Sequence, residues 1–141
     1  MKINKVPTDI KLHKKSATLE LVYSDGAGCK LSAEFLRINS PSAEVRGHGK
    51  GQETLQTGKK NVKIVEVKPV GNYAIKLVFD DQHDSGIYSW DYLLELCSNH
   101  DQLWDDYLDR LKAANASRDL LPSGVQVVNI MPLPTKELPN E

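Results

Sequence analysis

The chain has 141 residues, 40% of them apolar, which sizes it for a single domain with one modest core. Its 18 basic and 19 acidic side chains nearly cancel and are scattered apart from Lys11 to Lys15, so the charge footprint of a nucleic-acid binder is missing. No apolar run is long enough to cross a bilayer, and the start Met1-Lys2-Ile3-Asn4-Lys5-Val6-Pro7 lacks the apolar segment of a signal peptide, so the expected setting is the cytoplasm.

In chain order, Pro7 to Lys15 reads as a short strand, with His13 at the surface. Leu19, Leu21 and Tyr23 then alternate with Thr18, Glu20 and Val22, and Ser24-Asp25-Gly26-Ala27-Gly28 is turn chemistry, so a β-hairpin is predicted. Its second strand carries Cys29, Leu31, Ala33 and Phe35 in alternation and ends at Leu36-Arg37. Ser40-Pro41 is a helix-start signal, because a serine oxygen can cap free N–H groups and proline has none to lose; a single turn from about Pro41 to Arg46 follows.

Gly47-His48-Gly49-Lys50-Gly51 comes next. Arg46, His48 and Lys50 on such a loop could surround an anion-binding concavity. The spacing matches neither G-x-G-x-x-G nor a phosphate loop, and the plainer reading is a solvated connection between two hairpins.

Gln52 to Lys60 reads as irregular, and Val62 to Lys68 and Tyr73 to Phe79 as a second hairpin turning at Pro69-Val70-Gly71-Asn72. Asp80 to Gly86 is a polar connection, and Ile87-Tyr88-Ser89-Trp90 leads into a helix that Ser89 can cap. Ser98-Asn99 breaks it, and a second helix runs from about His100 to Asn115 with Leu103, Trp104, Tyr107, Leu108 and Leu111 on one face. Both tryptophans read as core anchors. From Ala116 onward Pro122, Pro132, Pro134 and Pro139 suggest a disordered tail, interrupted by the β-prone Val125 to Ile130. Cys29 on a strand and Cys97 on a helix could be bridged, but a reducing compartment favours two buried free thiols.

Around His83, the carboxylates Asp80, Asp81 and Asp84 invite a metal or general-base reading. Neighbours on a turn point apart and no H-x-x-x-H or C-x-x-C spacing accompanies them, so the expected role of these carboxylates is to cap backbone. Ser85 beside His83 and Asp84 is not a triad, which is a spatial constellation.

Two stretches together carry a resemblance: Phe35-Leu36-Arg37-Ile38-Asn39-Ser40-Pro41-Ser42-Ala43-Glu44-Val45-Arg46-Gly47-His48-Gly49, and Phe79-Asp80-Asp81-Gln82-His83-Asp84-Ser85-Gly86-Ile87-Tyr88-Ser89-Trp90-Asp91-Tyr92-Leu93. Over about Asp9 to Leu111 the chain resembles the gamma-butyrobetaine hydroxylase-like N-terminal domain family. The resemblance implies a compact β-rich domain that is found alone, joined to 2-oxoglutarate oxygenases, or fused to P-loop ATPases carrying iron–sulfur clusters. It also implies a non-catalytic role, since the oxygenase chemistry belongs to a separate domain. Oxygenase members hold a structural zinc with three cysteines and a histidine. Here the cysteine positions fall on Ser40, Ser42 and Val45 and the histidine on His83, so no cofactor is expected and the zinc site is expected to be empty.

The expectation is therefore an α+β fold: two antiparallel hairpins plus a short N-terminal strand, with two C-terminal helices packed on one side. Residues 1–115 form the domain and 116–141 the tail. The expected function is a non-catalytic adaptor whose binding surface is made by Arg37, Ser40, Ser42, Arg46, His48 and His83. Its partner would be a protein, an iron–sulfur carrier ATPase or an oxygenase, in iron–sulfur or metal homeostasis. The alternative is a metal- or small-anion-binding protein using His48 and His83.

Overall fold

The computed structural model describes residues 6–47 and 53–119. Strands β1 (Asp9–His13), β2 (Thr18–Val22) and β3 (Gly28–Ser32) form one antiparallel sheet in that order. The β2–β3 turn works as its composition suggests: Gly26 takes φ 86°, its N–H bonds the Tyr23 carbonyl, and the Asp25 carboxylate accepts the Ala27 N–H. Leu19 and Leu21 alternate inward to full burial.

The predicted strand through Phe35 stops at Ser32, where helix α1 (Ala33–Ile38) begins. The cause is local: the Ser32 hydroxyl accepts the Phe35 N–H at 3.0 Å and caps the helix, which an apolar alternation cannot register. All six α1 residues are buried, Glu34 and Arg37 included. The single turn predicted after Ser40 is helix α2 (Ala43–Arg46), and its cap is Ser42 rather than Ser40, whose hydroxyl is engaged elsewhere.

Strands β4 (Ile64–Val70), β5 (Ala74–Phe79) and β6 (Gly86–Ser89) make a second antiparallel sheet, so the approach to the first long helix is itself a strand. Pro69 sits within β4 rather than in the turn, a place proline tolerates because β4 is an edge strand. Helix α3 (Trp90–Ser98) starts where Ser89 accepts the Tyr92 N–H, and α4 (His100–Ala113) follows across Asn99. Along α4 the buried residues are Tyr107 and Leu111, while Leu108, expected on the same face, is exposed.

Together these are two antiparallel hairpins, each with a third strand, and two C-terminal helices packed on one side, an α+β fold. One core joins Leu19, Leu21 and Leu31 of the first sheet to Ile75, Leu77 and Phe79 of the second, with Phe35 and Leu36 of α1 and Leu93 and Leu96 of α3 between. Each such side chain contributes about 2 kcal/mol on burial. Trp90 and Trp104 are half-buried against this core.

The two cysteines are not free thiols: Cys29 and Cys97 form a disulfide, with Cα atoms 6.2 Å apart, and both residues are half-buried. The expectation rested on a presumed compartment, whereas the fold brings β3 against α3. The first residues after α4 turn back onto the domain. Ala116 N–H bonds the Leu111 carbonyl, and the carbonyls of Ser117 and Arg118 accept the N–H groups of Gly58 and Lys60. Val125 to Ile130 and the rest of the predicted tail from residue 120 lie outside the described residues.

Candidate functional site

The α1–α2 segment meets the β5–β6 turn through side chains that the sequence separates by about forty positions. Ser40 Oγ lies 2.8 Å from His83 Nε2, and Glu44 Oε1 lies 3.1 Å from His83 Nδ1. A carboxylate can only accept, so Nδ1–H donates to Glu44 and Nε2 accepts the Ser40 hydroxyl proton. Ser40 Oγ in turn accepts the Ser42 N–H, and Ser42 Oγ pairs with Ser85 Oγ at 2.7 Å. Burial holds the His83 imidazole below its ordinary pKa, reinforced by the nearby Arg37 charge and only partly countered by Glu44 and Asp81. It is neutral at pH 7.

Beside it, Arg37 Nε donates to Asp81 Oδ2 at 2.9 Å and its Nη1 to Gln56 Oε1 at 2.9 Å, while Lys59 Nζ reaches the same Asp81 oxygen at 2.6 Å. Burial raises the Asp81 carboxyl, but the Lys59 and Arg37 hydrogen bonds and charges outweigh it and leave the pKa lowered. Its other oxygen accepts the His83 N–H, and Asp80 accepts the Lys63 N–H, so these turn carboxylates do cap backbone. Tyr88 and Tyr92 close the junction by donating to the carbonyls of Leu36 and Asn39.

Ser40, His83 and Glu44 stand in the hydrogen-bond order of a nucleophilic triad, yet their surroundings remove that chemistry. Ser40 is 0% exposed, and Gly86 packs so closely that a Cβ there would stand 2.5 Å from its hydroxyl oxygen. No substrate carbon can reach it. Zinc does not fit either. Both His83 ring nitrogens are committed, Ser40 and Ser42 at the expected cysteine positions offer neutral hydroxyls, Val45 offers only methyl groups, and the Glu44 carboxylate is taken up by the imidazole Nδ1–H. Among the described residues no group of three histidine, cysteine, aspartate or glutamate side chains converges as a metal site.

The expected binding surface is therefore divided. Arg37, Ser40, Ser42 and His83 are buried and hydrogen-bonded within the junction. The reason is that each polar group has a protein partner, and solvent is not needed to satisfy it. Arg46 is exposed. His48, with Lys50 and the expected anion-binding loop, lies outside the described residues, so its approach to His83 is not described. Sequence reasoning missed Glu44, Gln56 and Lys59 as partners, because nothing in their local pattern points across the fold.

An open cleft of about 610 Å³, whose lining includes Ser40, lies between α1–α2, residues 53–54 and helices α3 and α4. The Arg46 guanidinium stacks over the Tyr92 ring, 5.0 Å from its centroid. Glu95, Asp106, Asp109 and Arg110 add charges of both signs around an apolar lining that includes Leu96 and Leu103. Burial raises the Tyr92 phenol, with Arg46 acting against it, so the ring stays a neutral platform at pH 7.

Residues 10–94 match the family described as gamma-butyrobetaine hydroxylase-like, N-terminal. A protein solved by NMR in solution is 54% identical, with 87% of this chain and 97% of that one covered and a TM-score of 0.73. A second NMR structure is 51% identical, covering 89% and 94%, with a TM-score of 0.71. A crystal structure of a protein of unknown function from Acidithiobacillus ferrooxidans is 38% identical over 64% of this chain and 90% of its own, with a TM-score of 0.54. No curated protein matches.

Proposed function

We propose that this chain, which belongs to the gamma-butyrobetaine hydroxylase-like N-terminal family, is an adaptor that docks a protein partner in the cleft beneath Arg46. The matched domain is the non-catalytic N-terminal one, so the reading is of a binding domain and not of an enzyme. The observation that carries it is the stack of the exposed Arg46 on the half-buried Tyr92, both lining a cleft with apolar residues and charges of both signs. Arginine and tyrosine on partly desolvated ground are the residue types that dominate protein interfaces, and a mixed-charge rim selects by complementarity rather than by bulk attraction.

The partner class we propose is an iron–sulfur carrier ATPase or an oxygenase, since the family resemblance implies that the same domain also occurs joined to such proteins. The setting we propose is the cytoplasm; no helix among the described residues is long and apolar enough to cross a membrane. Among the described residues nothing favours the alternative of a metal or small anion held by His48 and His83: both ring nitrogens of His83 already serve Ser40 and Glu44, and His48 lies outside the described residues.

Affinity capture from native cells tests the reading. Tagged wild type, Arg46→Glu and a control such as Lys76→Glu on β5, away from the cleft, are compared by mass spectrometry. The expected result is one partner retained by wild type and Lys76→Glu and reduced at least about tenfold by Arg46→Glu, the effect of losing a hot-spot side chain. Identical captures from all three would remove the cleft as the docking site.

A further inference from the structure

The Cys29–Cys97 bond joins two parts of the fold that already stand without it. β3 is paired with β2 along its whole length, and α3 is capped by Ser89 and anchored in the core by Leu93 and Leu96. Opening the bond would remove a covalent link but no hydrogen-bonded ladder and no apolar anchor. The pair is also within reach of solvent: both cysteines are half-buried, and Cys97 lines a surface cavity of about 200 Å³ together with residues 98–102. A disulfide sealed in the core is reduced only after unfolding, whereas exchange requires an attacking thiolate to approach one sulfur.

We propose that Cys29 and Cys97 form a reversible redox site that exchanges with an external dithiol while the domain remains folded. A thiolate of the donor attacks Cys97 Sγ from the cavity side. The new sulfur–sulfur bond forms as the Cys29–Cys97 bond breaks, and its electron pair leaves on Cys29 Sγ, which takes up a proton. The second donor thiol, deprotonated, attacks the donor sulfur of the mixed disulfide and expels Cys97 as thiolate, which is then protonated. Two electrons and two protons have passed from the donor dithiol to the pair, and the donor leaves as its disulfide. The reverse sequence, with an oxidised donor, closes the link again.

The same arrangement sets what changes. In the oxidised state the last turn of α3 is tied to the edge strand β3; in the reduced state only noncovalent packing holds it there. The bond also closes a loop across a sequence separation of 68 residues, which restricts the unfolded chain, so reduction lowers thermal stability even where the native fold is unaltered.

The full chain is purified without reductant and its thiols are counted in denaturant before and after dithiothreitol, then followed in the native state across glutathione buffers. The expected result is no titratable thiol in the oxidised protein and two after reduction at Cys29 and Cys97, with interconversion under native conditions and a retained far-ultraviolet spectrum. The thermal midpoint of the reduced protein should fall by about 10 °C or more. Amide shift changes should gather at β3, the end of α3 and the start of α4. The Cys29→Ser, Cys97→Ser double variant should match the reduced protein and ignore the reductant. Two thiols under oxidising conditions, or a bond that yields only once the chain is unfolded, would overturn the proposal.

Discussion

Helix α1 sends two buried charges to two different junctions, and the junctions are built differently. Arg37 enters a dense network in which Asp81 and Gln56 accept from its donors, Lys59 donates to the same Asp81 oxygen, and the His83 cluster lies alongside. Glu34 instead takes one partner, Arg118 from beyond α4, in a two-pronged pair at 2.7 and 2.8 Å, with Arg118 also stacked over Trp104. At the first junction the Arg37 and Asp81 side chains are 9% and 21% exposed; at the second the Glu34 and Arg118 side chains are 6% and 34% exposed. The lesson is that a buried charge can be held either by sequestering several partners around it or by reaching one partner at the surface, and the two arrangements should fail in different ways.

The largest expected effect comes from breaking the first junction. Asp81→Ala leaves Arg37 buried opposite Lys59 and removes the acceptor of the His83 N–H, so we expect a loss of about 3–5 kcal/mol in urea unfolding. Arg118→Ala at the second junction should cost less, about 1–2 kcal/mol, because the Arg118 side chain is 34% exposed and its pairing with Glu34 already competes with water. Equal losses from the two variants would erase the distinction.

The smallest effect is a pH dependence that separates the members of the first junction. His83 has its folded pKa lowered, so the unfolded chain binds its proton more readily. Its contribution is complete above the unfolded value of about 6.5 and declines as the pH falls below it. Asp81, also lowered, keeps its contribution until the pH falls below the unfolded carboxylate value of about 4. Urea midpoints of the wild type should therefore drop between pH 7.5 and 5.5, and His83→Gln should flatten that drop. A wild-type profile that is flat, or as steep in His83→Gln, would show that the imidazole is not the group responsible.

Much of the architecture was legible because it rests on short-range signals. The alternation of Leu19 and Leu21, the Asp25-Gly26 turn and the Ser89 cap each act within a few residues, and each appears where its local chemistry puts it. The structure departs from the local reading at the starts of two helices. Apolar alternation favoured a strand through Phe35, while the Ser32 hydroxyl started a helix. Local sequence puts the cap at Ser40, whereas Ser42 caps α2 and the Ser40 hydroxyl pairs with His83, 43 positions away. The site was less legible than the fold for the same reason. Arg37, Ser40, Ser42 and His83 were picked out by type and position, but whether such groups face water or one another is settled by the partners that the fold supplies.

By itself the sequence determined the class of fold, the periodic faces of its strands and helices and the family motifs at 35–49 and 79–93, because backbone propensity and hydrophobic period are read over a handful of neighbouring residues. Only the tertiary structure decided that the motif serines and histidine turn inward to satisfy one another, that Cys29 meets Cys97, and that Arg46 is left over Tyr92 in the lining of a cleft. Those outcomes depend on which distant groups packing brings within bonding reach, about 2 Å for a disulfide, about 3 Å for a hydrogen bond and about 5 Å for stacking, and local sequence carries little information about that.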